Sequence, residues 1–420
     1  MKVVSRLGVI FLPRQVCYDQ ATGHHLIPGN ALLPAHEGLV ITRGLQEWAC
    51  LLSQELPFEP VVRLLGWQAQ AEQVICATTV RALVRQHGQV IRQAYEAEVA
   101  ALLARPDLRE CQPVLVPAQQ PRYRAGWPAE LSAAVEAALA QASPSPPTGV
   151  ASADWERVLT ARRQEQTASA QALRHLGPQV QAEQVIASTD EVLTRQSQKR
   201  RFWELRTARV ATNAGYRYLV GLGDNFCQLL LVFILLCLGT GHTRLLILAD
   251  GALWIRNFYD LVQTHVPGVQ MVLDWFHLQR KCYQVSSLIC VGKPAKAKLV
   301  GSLYYHLWRG QVDEAITALT EARPQAKSPE KVDEFIDYLQ ARLAFLPNYQ
   351  ERRRQRGFIG SGHAEKANDL LVARRQKHQG MHWSLETSLA LATLKTLMLN
   401  GGWELYWCDR QVLPLAILPT

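Results

Sequence analysis

Between residues 183 and 278 the chain runs through alternating strand and helix patterns, and no other feature restricts its fold so strongly. Residues 185–193, 205–212 and 216–220 read as strands, and 226–238 as an apolar helix. A buried strand follows at 245–249, a helix at 253–265, and a further strand at 269–273 ahead of a long helical stretch. Short apolar or alternating runs bounded by turn residues are the mark of strands, and strands interleaved with helices imply a mixed sheet covered on both faces. Three strands, helix, strand, helix, strand is the order of a ribonuclease H-like core, so the expected fold class is α/β.

Other segments arrange themselves around that core. Residues 45–54, 58–65 and 75–87 carry three helical patterns, and the third holds Thr78, Thr79, Arg81 and Arg85. A helix-turn-helix with the third segment as recognition helix fits this spacing. Residues 137–154 turn to Ala, Ser and Pro, a composition that cannot bury a core and suits a linker. Residues 279–356 are helical and charged, with no strand signal, and read as an insertion before a last core helix starting near Gly362. The expected organisation is an amino-terminal DNA-binding region (1–135) and a linker with a connecting helix (136–182). A core follows (183–278 and 357–407), interrupted by the helical insertion (279–356) and ending in a tail (408–420).

Composition narrows the partners. Of the 420 residues, 48% are hydrophobic and 19% charged, enough to bury a large multi-domain core. The net charge of +9 favours polyanionic partners and salt-sensitive binding. The nine cysteines include no C-x-x-C pair, which fits neither a disulfide framework nor an intact zinc ribbon and points to a reducing cytoplasm. The longest apolar run, 226–239, falls short of the roughly 20 residues that span a bilayer, so a buried helix and no membrane partner are expected.

The acidic residues have informative settings. Asp190 lies inside a strand-like run, where a charge is costly unless it is paired or binds a cation. Side chains alternate along a strand, so Asp190 and Glu191 face opposite ways and only Asp190 is assigned to a site. Asp250 directly follows Arg-Leu-Leu-Ile-Leu-Ala and precedes Gly251, which puts a carboxylate at the carboxyl end of a buried strand, where α/β sheets gather their sites. Asp274 and His277, one helical turn apart at the end of the last strand, suit a metal pair, an orienting pair or a helix cap. Glu365 lies early in the helix that follows the Gly360-Ser361-Gly362 turn.

Taken together, Ala249-Asp250-Gly251-Ala252-Leu253-Trp254-Ile255, Leu273-Asp274-Trp275-Phe276-His277, and Ser361-Gly362-His363-Ala364-Glu365 with Arg375-x-Lys377-x-x-Gly380-Met381-x-Trp383 carry a family resemblance. They resemble the signatures of bacterial insertion-sequence transposases related to the Mutator-like group, of the Kra or Lre type, over roughly residues 185–407. The resemblance implies a catalytic triad of Asp190, Asp250 and Glu365, with Asp274 and His277 as a supporting signature pair. It implies Mg²⁺, with Mn²⁺ as substitute, and DNA cleavage at element ends followed by strand transfer of the 3′-hydroxyl. Double-stranded DNA and further copies of the chain are the implied partners. Relatives often carry amino-terminal cysteine pairs, and here only Cys17 with His24 and His25 remains.

Around these motifs, Arg352, Arg353, Arg354 and Arg356 precede the Glu365 helix, and Lys366, Arg374, Arg375 and Lys377 lie along it. With Arg81 and Arg85 they are the expected DNA contacts. Trp275 and Trp383, beside the acidic motifs, suit core packing or stacking on an unpaired base. Two alternatives share these features: a ribonuclease H-like nuclease without strand transfer, and a catalytically silent DNA-binding protein.

Overall fold

A computed structural model of the chain describes residues 2–11, 17–20, 24–26, 35–36, 39–117, 146, 151–153, 155–156, 159–160, 184–196, 201–239, 244–377 and 381–419. Most of the expected linker, and Gly380, lie outside the described residues.

The chain is α/β, built on a mixed sheet. Its amino-terminal part is not only helical, as expected, but begins with short strands: β1 (Lys2–Ser5), β2 (Gly8–Phe11), β3 (Cys17–Asp19), β4 (His24–Leu26), β5 (Ala35–His36) and β6 (Leu39–Ile41). Strands β2-β1-β6-β5 form one small sheet, and β3 pairs with β4 in a hairpin that sets Tyr18 opposite His25. Helices α1 (Arg43–Ser53), α2 (Phe58–Gln68) and α3 (Ala77–Leu103) follow. The sequence pattern ended the third helix at His87, but no proline follows to break it and it continues to Leu103.

After the two-residue strands β7 (Gln112–Pro113) and β8 (Val116–Pro117) come the central strands β9 (Gln184–Arg195), β10 (Phe202–Ala211) and β11 (Gly215–Gly221). Helix α4 (Gly223–Leu238), strand β12 (Arg244–Ala249), helix α5 (Leu253–His265) and strand β13 (Gln270–Leu273) complete the series. The spatial order is β13-β12-β9-β10-β11-β8. Strands β9, β10 and β11 are antiparallel neighbours, whereas β12 runs parallel to both β9 and β13.

Alternation along the strands decides what each face buries. Val185, Ala187, Leu245, Ile247 and Ala249 pack under α4 and α5. Ile186, Leu246, Leu248 and Val272 face the other way, into the helices that follow β13. Those helices are α6 (Trp275–Ile289), α7 (Lys293–Trp308), α8 (Val312–Ala322), α9 (Pro329–Gln340) and α10 (Tyr349–Arg354), and among the described residues no strand interrupts 279–356. Helix α4 is apolar on every side from Leu229 to Leu238, as suits its buried turns, and among the described residues no helix is long and apolar enough to cross a membrane.

Next along the chain is α11 (Gly362–Asn368), which passes through a π-helical turn (Asp369–Ala373) into α12 (Arg374–Gln376). Helices α13 (Leu385–Leu399) and α14 (Trp403–Asp409) and strand β14 (Ala416–Ile417) end the fold. Helix α3 lies along α13 so closely that a Cβ at Gly88 would sit 2.5 Å from the Ala390 Cβ. Val80, Leu83, Val84 and Ile91 share one core with Trp383, Leu391, Leu394 and Trp407. Helix α3 and the carboxyl-terminal helices thus share one packed interior. Beyond α14, Leu415 and Ala416 are buried, and β14 pairs with β7.

Candidate active site

The register of the sheet places the two aspartates. Ser188 pairs with Leu248 across the parallel β9–β12 ladder, and two residues further along each strand come Asp190 and Asp250, on the same face. Asp250 lies just beyond β12, where Gly251 turns the chain into α5 with φ +76°. Leu273 Cδ1 would be 2.7 Å from a Cβ at Gly251, so both the conformation and the space call for glycine. The Asp250 Oδ1 accepts from the Ala252 amide at 2.9 Å, which fixes its direction.

Glu365 arrives from α11, which packs against β9 and β10 through Ala367. One turn on, the Asn368 amide donates to Asp190 Oδ2 at 2.8 Å and to the Glu191 carbonyl at 3.1 Å, while Thr207 donates to Asn368 Oδ1 at 2.6 Å. Asn368 thus locks the Glu365 helix to the strand that carries Asp190. Sequence reasoning missed it, although its i+3 spacing from Glu365 put it on the same helical face.

Burial, then Asp250, and more weakly Glu191 and Glu365, push the Asp190 carboxyl up to about 7. Glu191 points to the other face, where the Trp254 indole donates to it and Arg206 lies 4.4 Å over the Trp254 ring.

Raised in the folded state above its ordinary 3.8, Asp190 makes the metal-free protein hold an extra proton between about pH 4 and pH 7. Its contribution to stability is complete below that window and is lost as pH rises through about 7. Asp190→Asn should therefore match wild type near pH 4 in EDTA and exceed it at pH 8 by on the order of 4 kcal/mol. Thermal melts of both proteins across that range check this; parallel curves would contradict it.

The supporting pair divides its labour. Asp274 is buried and caps α6, with Oδ1 accepting from the His277 amide at 2.8 Å. Its Oδ2 accepts from the Ser361 amide and, at 2.6 Å, from the Ser361 hydroxyl. Both oxygens thus join the end of β13 to the turn that launches the Glu365 helix, which is an orienting and capping role. His277 Nε2 stands 3.9 Å from Asp250 Oδ2, and burial holds the imidazole below its ordinary value against the pull of Asp250.

Among the expected DNA contacts, three bond to acceptors within the protein. Arg375 is buried, donates to the Ser53 carbonyl at 2.8 Å and stacks over Phe58 and Trp383; burial pushes its guanidinium down to about 10. Arg85 donates to Thr387 and Ser384 on the α13 side and pairs with Glu386. Arg352 is half-buried and donates to the Phe358 carbonyl. A helix shared with the core turns one of its faces inward, and basic residues on that face bond to protein acceptors.

Arg81, Arg353, Arg354, Arg356, Lys366, Arg374 and Lys377 remain exposed, although Asp369 engages Lys366 and Arg374, and Glu351 engages Arg354. Arg375→Ala should destabilise the fold by about 3 kcal/mol through a lost charged hydrogen bond and two ring contacts. It should leave the salt dependence of DNA binding unchanged, which urea melts and binding titrations together decide.

Trp275 and Trp383 are core residues: Trp275 packs on Tyr349 and Trp308, and the Trp383 indole donates to the Gln376 carbonyl. Phe276 and Leu253, by contrast, are exposed apolar side chains next to the acidic motifs.

Among the described residues, no three His, Cys, Asp or Glu side chains are gathered to hold a metal ion as they stand. The donor set nevertheless fits Mg²⁺, which takes hard oxygen ligands, commonly one or two carboxylates completed by waters and phosphate oxygens. Asp190 and Asp250 supply such a pair, and the burial of Asp190 together with the nearby charge of Asp250 is what a cation would offset. In comparisons with known proteins, no family model matches the chain and no curated protein matches it.

Proposed function

We propose that this chain is a metal-dependent phosphoryl-transfer enzyme acting on nucleic acid, with a ribonuclease H-like core. More particularly, we propose a DDE transposase of an insertion sequence, in which Asp190, Asp250 and Glu365 serve cleavage at element ends and strand transfer into target DNA.

One observation carries the reading. The register carries Asp190 and Asp250 to the same face of parallel neighbouring strands, and the helix that bears Glu365 packs on the Asp190 strand and bonds Asp190 through Asn368, which supports one carboxylate centre. The strand order, with three antiparallel strands followed by two parallel ones beside the first, supports the core assignment. Asp190, Asp250 and Glu365 would hold Mg²⁺ or Mn²⁺. The bound ions would supply activation of the attacking oxygen and charge stabilisation of the leaving one.

The chain's own groups do the rest. Asn368 fixes the rotamer of Asp190, the Ala252 amide that of Asp250, and Asp274 sets the origin of the Glu365 helix. Neutral His277 beside Asp250 can accept a proton as charge develops there. The exposed cations along 353–377 suit backbone phosphates, and exposed Thr78 and Arg81 at the start of α3 suit base edges at the element ends. A transposase of this kind works as a homo-oligomer on DNA.

Supercoiled plasmid and oligonucleotide duplexes carrying 3′-hydroxyl ends, with and without Mg²⁺, provide the test. Nicking and joined products that both require the divalent ion are expected. Nicking without joining would reduce the reading to a nuclease, and neither product would remove it.

A further inference from the structure

Next to the Asp250 strand end lies a group of cations that the carboxylate chemistry does not use. Lys281, one turn beyond His277 on α6, has its Nζ 4.3 Å from the centre of the Tyr338 ring on α9. The Arg342 guanidinium lies 3.8 Å from the same ring centre. Arg256, on the first turn of α5, is near enough to both Tyr338 and Arg342 to act on their charge.

None of these three cations forms an ion pair with a described residue. Arg342 donates only to carbonyls, those of Gly251 and Tyr338. Among the described residues Lys281 has the Tyr338 ring and no hydrogen bond, and the Arg256 Nε is buried without a partner. The Tyr338 hydroxyl is likewise buried and unpartnered. Among the described residues, Asp250 is the carboxylate that acts on both Lys281 and Arg342. Three half-buried positive charges thus face one negative charge, and two buried polar groups lack an acceptor or donor. Such a cluster costs free energy unless an anion completes it.

We propose that Lys281, Arg256 and Arg342, with the Tyr338 hydroxyl, bind a phosphate of the nucleic-acid backbone immediately beside the carboxylate centre, so that the helical segment after β13 supplies one wall of the substrate site. Choosing a backbone phosphate as the anion rests on the proposed function. Arg342 also positions the centre, because its grip on the Gly251 carbonyl holds the turn that aims Asp250.

The test uses the full chain with Lys281→Gln, Arg256→Gln and Lys281→Arg. Binding of a random-sequence duplex, titrated with salt in EDTA, should show each Gln variant lowering the log–log salt slope by up to about 0.9, the share of the one phosphate contact, while Lys281→Arg keeps it. Inorganic pyrophosphate should raise the Tm of wild type and not of the Gln variants, a readout that needs neither DNA binding nor catalysis. Unchanged slopes together with an unchanged pyrophosphate effect would overturn the proposal. A lost pyrophosphate effect with unchanged slopes would overturn the nucleic-acid assignment. Should wild type cleave no DNA while slope and pyrophosphate effect are both lost in the variants, the phosphate site stands and the catalytic reading falls.

Discussion

Asp250→Asn is expected to lower divalent-dependent DNA cleavage at least about 10³-fold while the protein stays folded. A carboxylate that shares metal ions with Asp190 and Glu365 contributes several kcal/mol to a developing phosphoryl transition state, and about 1.4 kcal/mol is a factor of ten. The fold tolerates the change because the Asn side-chain oxygen still accepts from the Ala252 amide, the contact that Asp250 makes at 2.9 Å. Nicking rates and thermal melts of the purified variant check both halves. Cleavage within tenfold of wild type would remove Asp250 from the centre.

Asp274→Ala is expected to act through the fold. Three donors, the His277 amide and the amide and hydroxyl of Ser361, converge on one buried carboxylate, and hydrogen bonds to a charged acceptor are worth about 1.5–3 kcal/mol each. Their loss, with the Ser361 amide left buried, should destabilise the protein by about 4 kcal/mol. Cleavage should fall as well, because the start of the Glu365 helix loses its anchor to β13. Asp274→Asn should recover part of the stability by retaining an acceptor for the His277 amide. Urea melts paired with Mn²⁺ titrations separate this from a ligand role: a variant of wild-type stability that had lost its metal would make Asp274 a ligand.

The core was legible because its signals are local. Strands β9 to β13 stand within three residues of their expected positions, since buried apolar runs bounded by glycine, asparagine or charge leave little choice of period. Asp190 and Glu191 part to opposite faces because alternation in a strand forces it. What the sequence hid depends on contacts between distant segments. Nothing near Arg375 announces that the Ser53 carbonyl and the Phe58 ring will receive it, so a basic run read as a DNA-facing stripe turns one of its members inward. The third helix of the apparent helix-turn-helix looked free for the same reason: the core it shares with α13 is built from residues about 300 positions later. Short strands such as β7, β8 and β14 carry no periodicity, and only pairing across the chain creates them. Asn368 was within reach, but a lone amide has no signature until Asp190 stands opposite.

Mn²⁺ binding measured by calorimetry on wild type, Asp190→Asn, Asp250→Asn and Glu365→Gln tests the central claim most directly, because it asks whether three carboxylates from three elements form one centre. The account predicts divalent binding in wild type that each substitution weakens at least about tenfold. Equal affinity in all four proteins would contradict it.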